Sequence, residues 1–344
     1  MLRQIYITSK KGILYQRNYA RGLDDLLFQN ILSKIQQDAF SEYQEEIGYY
    51  DFFKYKISFI TEKKLGLLIL FITSLKDNFD NMKTKLYQLR QYMLDFHGKA
   101  IERDSNFYSD ENLDIVVDTI HKEMHTKIAL VGYAGVGKTT ISNLIKEEEL
   151  PTKHIPTING EISTIKLGKL HFQLWDFAGQ EQYELLWKKF IRESDVVLLI
   201  SDSSFENVEK SRSFIDLIKQ EASDSNSAII CNKQDLSTSI QIDTIQNLIG
   251  LKAYPMVAID PDNKEKMILI IAELLEIDPK VSPLLKSFTL RTELQKEAEN
   301  ALSMGDHKKA LEIYQKIYNL CIDSGDYSYE KDYREKIENL KKII

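Results

Sequence analysis

The stretch Gly132-Tyr-Ala-Gly-Val-Gly137-Lys138-Thr139 constrains this chain more than any other, because it fits the spacing G-x-x-x-x-G-K-S/T. Glycines let a loop curl until successive N–H groups face one anionic centre. A helix starting behind the loop adds its positive dipole end. The apolar run Ile128-Ala-Leu-Val131 precedes the loop and Ile141-Ser-Asn-Leu-Ile145 follows it, the strand and helix that the motif requires. Gly132, Ala134, Gly135, Val136, Gly137, Lys138, Thr139 and Thr140 are therefore the candidate phosphate cradle. Lys138 is expected to reach the β- and γ-phosphates of a nucleotide, and the Thr139 hydroxyl to hold Mg²⁺.

With 344 residues, 43% of them hydrophobic, the chain is long enough for two or three units around a large core. A net charge of −7 with both signs interspersed leaves no nucleic-acid footprint. Cys231 and Cys321 are too few for a disulfide framework and fit a reducing compartment. Cys231, inside Ala228-Ile-Ile-Cys231, reads as a small buried hydrophobe. No apolar run reaches transmembrane length, and Met1-Leu-Arg-Gln-Ile5 lacks a signal peptide's apolar core. Leu2 excludes a myristoylation signal, and Leu340-Lys-Lys-Ile-Ile344 holds no cysteine to prenylate. The expectation is a cytoplasmic protein with no lipid anchor of its own, meeting membranes peripherally through partners.

Three segments follow from the pattern: 1–125, 126–277 and 284–344. In the first, alternation on both sides of Ser9-Lys-Lys-Gly12 predicts a β-hairpin. Leu27, Ile31 and Ile35 predict a helix, and two apolar strands follow at Phe52–Ile60 and Gly66–Ile72. Phe79, Met82, Leu86, Leu89, Met93 and Phe96 recur at steps of three and four, predicting an amphipathic helix capped by Asp77. His121 and His125 sit one turn apart, but His121-Lys-Glu-Met-His125 lacks the zinc-protease order, so both read as surface histidines. The second segment alternates strands and helices, and it starts without a Gly/Ser/Pro-rich spacer, so the first two units are expected to touch. Asp278-Pro-Lys-Val-Ser-Pro283 is the linker to an all-helical third segment.

The element order of 1–125, with Tyr92-Met-Leu-Asp-Phe-His-Gly-Lys99 and Asn112–Ile120 as its last helices, resembles the longin domain of trafficking proteins. That likeness implies an α+β, profilin-like unit. Met304–Leu320, with Gly305, Ala310 and Tyr314, resembles part of a tetratricopeptide repeat. A single repeat cannot bury its own faces, so this tail is expected to dock on the rest of the chain, a second copy or a partner.

Four motifs follow the phosphate loop: Ile155-Pro-Thr157-Ile, Leu174-Trp-Asp176-Phe-Ala-Gly179-Gln180, Asn232-Lys233-Gln-Asp235 and Met256-Val-Ala258-Ile-Asp260. Together they resemble the small GTPases of the Ras superfamily, and the Arf-like branch in particular. The resemblance implies an α/β GTPase unit that uses GTP, GDP and Mg²⁺, flanked by the longin-like unit and the small all-α segment. It implies Mg²⁺ held by Thr139, Thr157 and, through water, Asp176. Thr152 and Thr164 compete with Thr157, but Pro156-Thr157 and its spacing to the next motif fit the Arf pattern. The Gly179 amide would sense the γ-phosphate and Gln180 would orient the attacking water. Asp235 would read guanine, Asn232 would brace the loops, Lys233 would cover the base and the Ala258 amide would donate to guanine O6. Trp187 resembles an aromatic through which Arf-like proteins meet partners, with ordinary core as the alternative.

Two departures stand out. Ala134 occupies a position where Ras-type loops carry glycine, and no arginine lies between Arg103 and Arg192. An arginine in the transition state is worth about 10³–10⁵ in rate, so intrinsic hydrolysis is expected to be slow. The leading expectation is a GTP-hydrolysing switch that recruits partners, with effector, exchange-factor and GTPase-activating proteins. Longin domains and Arf-like GTPases both belong to membrane trafficking, and in signal-recognition-particle receptors they occur as contacting subunits. The alternative is a GTP-stabilised scaffold with negligible turnover. A metabolic ATPase is disfavoured by Asn232-Lys233-Gln-Asp235.

Overall fold

The computed structural model describes residues 1–9, 12–40, 46–102, 111–146, 161–167, 170–177, 179, 184–278, 282–283, 285–324 and 327–342. The chain opens with strands β1 (Leu2–Ser9) and β2 (Gly12–Asn18), then helix α1 (Asp25–Ala39). Strands β3 (Ile47–Phe52), β4 (Tyr55–Glu62) and β5 (Leu67–Ser74) complete a five-stranded antiparallel sheet in the order β2-β1-β5-β4-β3. Helix α2 (Phe79–Tyr92), a π-turn (Met93–His97), α3 (Gly98–Glu102) and α4 (Glu111–Glu123) follow. Alternation puts Tyr6, Ile57, Phe59, Leu68 and Leu70 on the face that meets Phe28, Leu32 and Ile35 of α1. The opposite face, with Ile5, Ile7, Ile69 and Phe71, shares a core with Leu86 and Leu89 of α2 and Val117 of α4.

Four expectations for this part need correction. The stretch read as one strand, Phe52–Ile60, is the turn and second arm of a hairpin, β3–β4. Its turn lacks the glycine that would announce it, because Phe53 itself takes the left-handed region at φ 53°. The α2 N-cap is Asn78, whose side chain accepts from the Asp80 amide, while Asp77 accepts from the Met1 ammonium at 2.7 Å. Phe96 leaves the apolar stripe and is 71% exposed, since the π-turn that begins at Met93 breaks the helical register. His121 is only 3% exposed, its ring tilted against that of Tyr19 with centroids 4.1 Å apart, whereas His125 is exposed as expected. Neither His121 nitrogen has a hydrogen-bond partner, and burial pulls its pKa down to about 3.

The second sheet runs β6 (Thr126–Val131), α5 (Lys138–Lys146), β7 (Glu161–Leu167), β8 (Leu170–Asp176), α6 (Glu184–Ile191) and β9 (Val196–Ser201). It continues with α7 (Phe205–Lys210), α8 (Ser213–Glu221), β10 (Asn226–Cys231), α9 (Ile242–Ile249), β11 (Lys252–Pro255) and α10 (Asn263–Leu274). The strand order is β11-β10-β9-β6-β8-β7, parallel except for the antiparallel edge strand β7. Strand β9 is buried throughout, and apolar up to its closing Ser201, because helices cover both faces, as a parallel sheet demands. Ile141 and Ile145 of α5 and Met267 and Ile271 of α10 cover one face; Trp187 and Ile191 of α6, Phe214 and Ile245 cover the other. Cys231 lies in this second core, fully buried, its thiol pushed up to about 12 by burial.

The two sheets share one continuous apolar cluster that runs from Ile5 and Phe71 through Val117 to Ile128 and Phe172. Polar contacts frame it. Glu276, just past α10, pairs with Arg3 at 2.6 Å and Lys54 at 3.0 Å, and its carbonyl accepts from the Arg21 amide. Burial opposes ionisation of Glu276, but the Lys54 hydrogen bond and the Arg3 charge outweigh it and hold the carboxyl below its ordinary range. Asp195, at the foot of β9, pairs with Lys76 at 3.3 Å.

Helices α11 (Lys286–Ser303), α12 (His307–Ser324) and α13 (Tyr327–Lys341) form a small core of their own from Ala298, Ala310, Ile317, Tyr333 and Ile337. Leu285 and Phe288 join the core that contains α10, so the helices dock on their own chain. Among the described residues, no helix is long and apolar enough to cross a membrane.

Candidate nucleotide site

Each described candidate residue lies at the carboxyl end of a strand of the second sheet, in the loop just beyond it, or in the first turn of α5, where open α/β sheets bind ligands. The cradle leaves β6 with Gly132 at φ 143°, Gly135 at 80° and Gly137 at 102°, all conformations that side chains resist. Space is also short. A Cβ on Gly132 would collide with the Ile200 carbonyl, and one on Gly137 with the Asn232 amide. Lys138 begins α5, and its ammonium donates to the Gly132 carbonyl at 2.9 Å and the Tyr133 carbonyl at 2.8 Å. Burial lowers its pKa to about 8, with the Asp176 charge opposing the shift. Ala134 and Gly135 are exposed at the rim, Val136 is buried, and Thr140 is half-buried.

Strand β8 delivers Asp176 to the same place. Its Oδ2 accepts from the Thr139 hydroxyl at 2.8 Å, while its Oδ1 is buried with no hydrogen-bond partner. Burial raises the Asp176 pKa, against the Thr139 hydrogen bond and the Lys138 charge. A hydroxyl and a carboxylate with an unsatisfied oxygen form a hard donor pair of the kind Mg²⁺ takes. Among the described residues no group of three His, Cys, Asp or Glu could hold a metal ion. Gly179 is packed so close that a Cβ would strike the Gly132 carbonyl and the Lys138 ammonium. Thr157 and Gln180 lie outside the described residues.

The base-side residues form a brace. Asn232 Nδ2 donates to the Val136 carbonyl at 2.9 Å, and its Oδ1 accepts from the Ala258 amide at 2.9 Å. Lys233, at φ 60°, reaches the Gly135 carbonyl at 2.7 Å, and Asp235 is exposed beside it. The single N–H of Ala258 is thus engaged, and a base oxygen must share it or replace Asn232.

Two residues escaped the sequence reading. Ser203, at φ 66°, donates to the Asn232 carbonyl at 2.6 Å and so fixes the brace from β9. Tyr133, inside the cradle, meets Ser213 at 2.9 Å and sets its ring edge-on to Phe214. A serine after Asp202 and an aromatic at a variable loop position carry no signal of their own. Trp187 is 5% exposed, with Phe214 at 4.6 Å between centroids, so the core alternative holds over the partner-facing one.

A glycine cradle on β6, an acidic residue ending β8 and an Asn-Lys-x-Asp loop after β10 define a guanine-nucleotide-binding regulatory GTPase. The ADP-ribosylation factor family matches this chain over residues 113–273. ADP-ribosylation factor J of Dictyostelium discoideum is 30% identical over 131 residues, 37% of this chain and 69% of that protein. The chain belongs to the ADP-ribosylation factor family, whose members are in general GTP hydrolases.

Proposed function

We propose that the protein is a slow GTP-hydrolysing switch whose GTPase unit spans residues 126–277, with a longin-like unit at 1–125 and a tetratricopeptide-like segment at 284–344. The observation that carries this reading is the Asn232 brace, which ties the phosphate cradle to the Ala258 loop with Asp235 at its edge. Asp235 accepts the N1–H and exocyclic amine of guanine; adenine offers a lone pair at N1 and no amine, so ATP is rejected. Lys233 lays its stem along the base, and Lys138 neutralises the β- and γ-phosphates. Thr139, Asp176 and Thr157 would hold Mg²⁺, which supplies charge neutralisation at the phosphates when bound. The Gly179 amide meets the γ-phosphate, and Gln180 orients the attacking water. Ordering of Thr157 and the Gln180 loop by GTP is the switch, and effectors, exchange factors and activating proteins are its partners. Recruitment in membrane trafficking, through partners at a membrane surface, is the setting that the longin likeness supports.

The missing arginine between Arg103 and Arg192 supports slow turnover and also favours a second reading, a scaffold that holds GTP without using it. Single-turnover hydrolysis of bound GTP separates the two. A slow first-order loss of GTP that Gln180→Leu slows further, with binding intact, supports the switch. A wild type that keeps its GTP indefinitely supports the scaffold. Binding of ATP as tight as that of GTP overturns both.

A further inference from the structure

Helix α11 leaves its linker beside α10 and brings the C-terminal helices to the start of α10. The Tyr329 ring of α13 is clamped there by two cations from different elements. Arg291 of α11 lies over it at 3.6 Å, and Lys264 of α10 faces it at 4.8 Å. Both cations are buried, Arg291 to 4% exposure and Lys264 to 8%, so water does little to screen the attraction. Thr292 of α11 adds a long hydrogen bond of 3.4 Å to Glu265, the next residue of α10.

The clamped turn is continuous with the base corner. Asn263, the first residue of α10, donates to the Val257 carbonyl at 3.2 Å and to Asp260 at 3.0 Å. The Lys264 amide donates to the Pro261 carbonyl at 3.0 Å. Between Val257 and Asp260 lies Ala258, whose amide is held by Asn232, which in turn holds the Val136 carbonyl of the cradle. A contiguous chain of packed and hydrogen-bonded groups therefore joins Tyr329 to the nucleotide corner.

We infer that Lys264, Arg291 and Tyr329 are positioning residues for guanine, through which the C-terminal helices hold the Val257–Asp260 loop in place and retard nucleotide release. This rests on the reading of that loop as the guanine-side wall. The clamp acts on the loop and not on the phosphates, so its loss is expected to speed release without abolishing binding. A coupling at the low end of the usual range corresponds to about 5-fold.

The test uses the full chain loaded with a fluorescent GDP and measures its release rate, alongside hydrogen exchange across residues 256–268. Tyr329→Ala and, from the other side of the clamp, Lys264→Met are expected to raise the release rate about 5-fold and the exchange of that segment together. Tyr329→Phe, which keeps the ring, is expected to restore the wild-type rate; a generally disrupted helical segment would not show this rescue. If the segment loosens in Tyr329→Ala and Lys264→Met while GDP leaves at the wild-type rate, the inference is overturned and the nucleotide site stands. If Tyr329→Phe releases GDP as fast as Tyr329→Ala, the ring clamp is not the cause and the inference is again overturned. Failure of the wild type to bind any guanine nucleotide would instead overturn the underlying reading of the site.

Discussion

Asp235 and His121 lie at opposite extremes of exposure, and each gives a test. Replacing Asp235 by Asn removes an acceptor and sets a donor against the donors of guanine. The expected loss is about 2–3 kcal/mol, or about 30–150-fold in GDP affinity. Xanthine nucleotides, with a carbonyl in place of the amine, are expected to gain; equilibrium titration of both bases against wild type and variant checks the exchange. His121 has a folded pKa of about 3, below its unfolded value. The unfolded chain therefore binds the extra proton, and stability falls as pH drops through about 6.5, by up to about 1.4 kcal/mol per pH unit. His121→Phe should flatten the dependence of the melting temperature between about pH 6.5 and 5, above the range where carboxylates titrate. An unchanged slope would show that the imidazole is not the group responsible. The shape of the candidate cradle was legible in the sequence because its constraint is local: glycine conformations, one lysine and one hydroxyl following one another. The burial of His121 on α4 was not, because it depends on Tyr19, just past the end of β2, packing against it. Ser203 was invisible for the same reason, its partner Asn232 arriving on a different strand.

Elements were read well where their pattern is long and poorly where backbone geometry departs from the residue's habit. The buried strands β5 and β6 follow directly from apolar runs. The β3–β4 turn escaped notice because Phe53 performs a glycine's task at φ 53° while 83% exposed. A β-propensity reading thus ran one strand through the turn. Phe53→Gly loses little burial and relieves the left-handed strain, so it is expected to stabilise by about 1 kcal/mol. Thermal melts of the two proteins measure it, and a lower melting temperature for the variant would mean that the edge-on contact of Phe53 with Phe52 outweighs the relieved strain. The stripe on α2 was correct as far as Met93 and failed at Phe96, where the π-turn resets which side chains face inward.

Over the whole molecule, the expectation that the first two units touch rested on a short connection, and the structure joins them far more closely than that, through one shared core. A chain beginning at residue 126 would lose α4 and the first sheet, baring Phe172 and its neighbours. Such a truncation is expected to aggregate or bind apolar dye, as gel filtration would reveal; a monodisperse product with normal GDP release would show that the shared core is dispensable. Breaking the polar frame alone, with Glu276→Ala, leaves Arg3 and Lys54 without their common partner and is expected to cost about 1–3 kcal/mol in a denaturant melt, with little effect on GDP affinity. Asp195 stands at the foot of β9, whereas the nucleotide residues crown the same sheet at its other end. The two sheets are thus stacked like a pedestal and a cup. Contact with the first unit and contact with nucleotide therefore fall at opposite ends of one sheet, and neither has to give way to the other.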